Sequence, residues 1–167
     1  MPASAAGRTA AQYARDSATN PASYGFRVLS AQMCWDAVKL CLFNSGAISQ
    51  ATNDGMRGHT HNYQTFIRTH DPVVADANQM RLVPQGAILG FIDLDHNNIL
   101  VHAMVATGHG LAAGNKNDCI GLGHSIGWEL LDLSKLAWVQ GASHFSAPNT
   151  SATGGPLRRV EVRVRAI

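Results

Sequence analysis

The sequence predicts an α+β domain, with helices in the first half leading into an antiparallel sheet in the second. Three observations carry this. SAQMCWDAVKLCLFNSG, from Ser30 to Gly46, begins on an N-cap residue, continues as a helical run and stops at a glycine. AILGFIDL and ILVHAMVAT are apolar runs of strand length joined by the turn-forming DHNN, as in a hairpin. LRRVEVRVRAI near the end alternates, with Val160, Val162 and Val164 on one face and Arg159, Glu161, Arg163 and Arg165 on the other.

Along the chain, MPASAAGRTAAQYARDSATNPASYG is rich in small residues without a sustained apolar face. Residues 1–29 therefore read as a loosely packed leader or partial helix. The helix from Ser30 is the best-marked element. Residues 47–83 carry Gly, Asn, His and Thr clusters, and Pro72 limits any helix before it, with a second short helix to follow. After Pro84 the chain reads as strands: the hairpin, a tight GHG turn, LAAGN, WELLDL and the alternating final run. Residues 30–167 form one domain.

Composition narrows the function. An apolar fraction of 46% against 14% charged residues supports a buried core. Thirteen Lys and Arg are nearly matched by eleven Asp and Glu, with a net charge of +2 and no basic run, which argues against a nucleic-acid partner. No stretch approaches the roughly 18 apolar residues of a membrane span. The N-terminus lacks the apolar region of a cleavable signal, so a soluble chain is expected, secreted without a cleavable signal peptide.

Three cysteines, at 34, 41 and 119, include no C-x-x-C pair, so neither a disulfide framework nor a structural metal site is expected. Cys34, Ala37, Val38 and Cys41 share one helix face, directed at the core. Counted from Ser30, Cys34 ends the first turn, where the helix dipole and free N–H groups favour a thiolate. The Cys34 backbone could also serve as an oxyanion donor, with Gln32 a candidate side-chain donor. Packing alone would equally account for Cys34, as it does for Cys41 and Cys119. His102 lies within an apolar strand, sharing a face with Met104 and Ala106. A buried imidazole needs partners, and a thiol and a further polar side chain would satisfy both nitrogens.

The order of a Cys at a helix start, then Pro84-x-Gly86, an apolar strand, a turn, His102 in a strand and Gly108-x-Gly110 resembles the papain-like superfamily, especially NlpC-type peptidases and amidases. The resemblance covers about residues 30 to 118. It implies N-terminal helices packed on an antiparallel sheet, Cys34 as nucleophile, His102 as base and a thioester intermediate. A third polar residue should orient the imidazole: Asn115 is the first candidate and Asn117 the second. The family's Asp-Cys-Ser-Gly is replaced by Met33-Cys34-Trp35-Asp36, which points away from peptidoglycan and toward bacterial effectors or toxins that cleave or deamidate proteins. The implied partners are a protein or peptide substrate and an immunity or carrier protein, with no cofactor and no metal. A peptidoglycan amidase or endopeptidase is the alternative substrate reading, and a non-catalytic binding module on the same fold is the alternative of another class.

Other signals carry less. His59, His61, His70 and Asp71 are spaced too loosely for a metal site and read as surface groups. GHGLAAGNK lacks the spacing of a phosphate-binding loop. Trp35, Trp128 and Trp138 read as core or cleft residues.

Overall fold

The computed structural model of the chain describes residues 3–20, 34–56, 67, 71–148 and 157–167. It is an α+β structure with four α-helices among the described residues: α1 (Ala5–Thr19), α2 (Cys34–Asn44), α3 (Gln50–Gly55) and α4 (Ala77–Leu82). Six strands follow: β1 (Ile88–Asp93), β2 (Ile99–Gly108), β3 (Leu111–Asn115), β4 (Trp128–Asp132), β5 (Phe145–Pro148) and β6 (Leu157–Arg165). They form one antiparallel sheet in the order β4-β3-β2-β1-β6-β5.

Of the two readings of residues 1–29, loosely packed leader or partial helix, the structure shows a helix over Ala5–Thr19, and it is packed rather than loose, while residues 21–29 lie outside the described residues. Ser4 caps α1 by accepting from the Gly7 N–H at 2.9 Å. Gly7, Ala10, Ala11 and Ala14 are buried on one face. That spacing is a helix stripe, built from residues too small to register as apolar periodicity. Their size lets α1 lie close to the sheet: a side chain at Gly86 would place its Cβ 2.1 Å from the Gly7 carbonyl oxygen. Arg15 then donates to the Thr107 carbonyl at 3.0 Å.

Helix α2 buries Cys34, Ala37, Val38 and Cys41 along the expected face. It ends as the sequence indicates. The Gly46 N–H bonds the Phe43 carbonyl and the Ala47 N–H bonds the Leu42 carbonyl, with Gly46 at φ +73°, the paired bonds of a Schellman stop. Ser30, the expected N-cap, lies outside the described residues.

The sheet is covered on both faces. Helices α1 and α2 pack with Ile88, Ala103, Val105 and Ala113, while Leu89, Phe91, Met104, Val160 and Val162 point to a second core with Met80, Leu133 and Phe145. The β1–β2 hairpin turns through Asn97 and Asn98, both at positive φ. Its register runs from Phe91↔His102 to Ile92↔Leu100, so Val101 is an extra residue, and it packs toward the same core as Met104. β5, whose short apolar content gives no alternation to read, completes the edge beside β6.

β6 carries a charge on its inner face. Arg158 shares parity with Val160 and Val162 and is 8% exposed. Its Nη1 donates to Asp93 Oδ2 at 3.2 Å, and its Nη2 donates to the Cys119 carbonyl. Asp93 Oδ2 is also 2.9 Å from His96 Nδ1. A buried ion pair therefore ties β6 and β1 to the segment after β3. Arg158→Met would leave Asp93 charged in the core without its guanidinium, and urea unfolding should show a loss of about 3 kcal/mol. A loss below about 1 kcal/mol would mean that the pair is dispensable.

Candidate active site

The site forms where β2 outruns β3. Pairing between these strands runs from Val105↔Ala113 to Gly108↔Leu111, so His102 lies beyond that ladder and pairs with Phe91 of β1. There the chain leaves β3 at Asn115, reverses through Lys116 at φ +59°, and enters a 3-10 turn over Asn117–Ile120. The turn fills the space that β3 vacates and brings Asn117 and Cys119 to His102.

His102 is 1% exposed. Its Nε2 lies 2.8 Å from Asn117 Oδ1. The Asn117 amide is fixed by its own donors: Nδ2 gives one hydrogen to the Gly114 carbonyl at 3.2 Å and the other to Glu129 Oε2 at 3.1 Å. Glu129 Oε2 also accepts from the His124 backbone N–H at 2.5 Å, which holds the carboxylate in place. The Asn117 oxygen can then only accept, so His102 Nε2 must be the protonated nitrogen. In the neutral ring the lone pair is then on Nδ1, which is buried and, among the described residues, bonded to no oxygen or nitrogen. The ring stacks obliquely on Phe91, with centroids 5.5 Å apart.

One ring nitrogen of His102 and the sulfurs of Cys34 and Cys119 all lie within 4.8 Å of one another. With Nε2 occupied by Asn117, Nδ1 is the nitrogen left to meet the thiols. The sequence-predicted pair Cys34 and His102 therefore does come together, through the first described turn of α2 and the free stretch of β2. Of the two asparagine candidates, Asn117 bonds the imidazole. Asn115, the first choice, is in β3 opposite Trp128, because the reversal at Lys116 falls between them. Gln32 is outside the described residues, as are His59, His61 and His70. Cys119 went unrecognised, since a thiol in the polar turn NKNDC has no periodicity to place it.

The two thiols divide one charge. Cys34 is pushed up by its hydrogen bond with Cys119 and then by burial, against which the backbone N–H groups of Ala103 and Trp35 favour its anion. Cys119 is drawn down to about 5 by the hydrogen bond from Cys34 and then by His102, with partial burial and Asp118 opposing. Two adjacent sulfurs resist a second ionisation, and the opposed shifts favour Cys119 over Cys34 as the one that carries the first charge. Cys41, fully buried on the same helix face, is pushed up to about 12 by burial alone and is inert.

No protein-family model, curated protein or solved structure matches the chain. What describes the site is its geometry: two sulfurs, an imidazole, and an amide and a carboxylate behind that ring. The three donors are also of metal-ligand type. Among the described residues no helix is long and apolar enough to cross a membrane.

Two tests address this geometry. A lowered pKa means that the anion survives to lower pH, so alkylation of Cys119 by iodoacetamide should already rise through about pH 5, with Cys34 lagging above the ordinary thiol range. Peptide-resolved mass spectrometry would show this, and a common rise near 9 for both would refute the shared charge. Gly114→Ala would set a Cβ 2.8 Å from Asn117 Oδ1 and 2.7 Å from Met104 Cγ. It should displace the amide and slow alkylation several-fold, with little effect on the circular dichroism spectrum.

Proposed function

We propose that the protein is a cysteine-dependent amide hydrolase of papain-like type, with Cys34 as nucleophile, His102 as base and Asn117 orienting the imidazole. The observation that carries this reading is the His102 tautomer, whose lone pair on Nδ1 is buried beside two sulfurs while Nε2–H is held by Asn117. In the first half-reaction Nδ1 takes the Cys34 proton as sulfur attacks the carbonyl carbon. The imidazolium returns that proton to the departing nitrogen, leaving a thioester. Water, deprotonated by the same nitrogen, then releases the acid and restores the thiol. Asn117 keeps the ring in register and stabilises the transient imidazolium through its oxygen, with Glu129 behind it. The bond attacked is a peptide or side-chain carboxamide of a protein or peptide substrate.

A second assignment within this chemistry makes Cys119 the nucleophile. It is favoured by the greater exposure of Cys119 and by its lowered pKa. An activated ester separates the two. With p-nitrophenyl acetate, a burst of nitrophenol should accompany an acetyl adduct on Cys34. Cys34→Ala should abolish the burst, and His102→Ala should slow acylation by about 10²- to 10⁴-fold. An adduct confined to Cys119 would transfer the nucleophile's role to that residue. Acetylation that ignores His102→Ala would overturn the hydrolase reading.

A further inference from the structure

We propose that Cys34, Cys119 and His102 form a zinc(II) site whose occupancy switches the thiol centre off. The switching rests on the hydrolase reading above, whereas metal binding does not. Among the described residues these three supply two sulfur donors and one imidazole nitrogen, mutually within 4.8 Å. Tetrahedral zinc, with Zn–S near 2.3 Å, places its sulfurs about 3.8 Å apart, so side-chain shifts of about 1 Å or less close the site. Soft sulfur with imidazole is a zinc donor set, and three protein ligands leave a fourth position for water.

The imidazole supplies the second observation. His102 is 1% exposed, and among the described residues its Nδ1 is bonded to no oxygen or nitrogen and is left to the two sulfurs. A buried ring nitrogen left in that state is costly unless something accepts its lone pair. The opposite nitrogen donates to Asn117 Oδ1, and Asn117 is held by the Glu129 carboxylate. Such a chain behind the ring is the outer support that fixes a metal-binding histidine in tautomer and orientation. Zinc entering past half-buried Cys119 would bind both sulfurs as thiolates, release any thiol proton to the buffer and occupy the Nδ1 lone pair. Nucleophile and base would both be engaged in a single event, and a chelator would free them. No bond to carbon and no change of oxidation state is involved.

The reduced, metal-free full chain would be titrated with zinc chloride against a chromophoric chelator. One zinc per chain is expected. Cys119→Ser and His102→Ala should each weaken binding at least about 10-fold, while His109→Ala, in the exposed GHG turn, should not. Circular dichroism would verify that each variant is folded. Zinc should cut iodoacetamide labelling of Cys34 and Cys119 at least about 10-fold, reversed by EDTA. No stoichiometric zinc, or zinc that Cys119→Ser retains and His109→Ala loses, would overturn the site. If acyl transfer to Cys34 proceeds and zinc does not bind, only the metal proposal fails. If zinc binds through all three side chains and no acyl transfer occurs, the metal site stands, and the hydrolase reading fails together with the switching role.

Discussion

The candidate site depends on one amide. Asn117 has two N–H groups and one oxygen, and both donors are taken by acceptors, the Gly114 carbonyl and Glu129. Its oxygen has no choice of role, and this decides which nitrogen of His102 carries the proton. A group that could only donate at that place would put the proton on Nδ1 and leave the thiols facing an N–H. Which ring nitrogen carries the lone pair is thus decided two residues beyond β3, by a side chain that bonds the opposite side of the imidazole.

The position of that amide depends in turn on how the sheet ends. β3 is short, and Lys116 in the left-handed region turns the chain back against β2 where the ladder has stopped. The turn is held from the opposite side by Arg158, whose guanidinium spans Asp93 of β1 and the Cys119 carbonyl. Burying such a pair gives little net stability, but its geometry is demanding, and here it specifies where a loop thiol sits. Two networks therefore meet at Cys119: its carbonyl accepts from the guanidinium of the buried ion pair, and its sulfur belongs to the Cys–His cluster.

Much of the fold was legible because its signals are local. The Gly46 stop of α2, the DHNN turn and the alternation of β6 are written in adjacent residues, and the structure shows each of them. His102 was legible for a related reason, since a polar side chain in an apolar strand demands partners. Alternation also held information that went unread: Arg158 has the parity of Val160 and Val162, which placed a cation inward. Helix α1 was obscured because alanine and glycine bury a face without looking hydrophobic. Cys119 and the choice of Asn117 over Asn115 were not accessible in this way. Both depend on a chain reversal at Lys116, a residue type that does not announce a left-handed conformation, and on a space left open by another strand.

The place of β6 in the sheet has a consequence for how the protein comes into being. It is the last of the six strands in chain order, yet it lies between β1 and β5, and it brings the cation that secures the Cys119 turn. A chain emerging from the ribosome displays both sulfurs and the imidazole while the strand that will hold them in register is still unmade. During that interval β1 has an open edge, Asp93 lacks its guanidinium, and the sulfurs and imidazole are present without their mutual geometry. The geometry of the Cys–His cluster therefore depends on a strand that the ribosome delivers after both sulfurs and the imidazole.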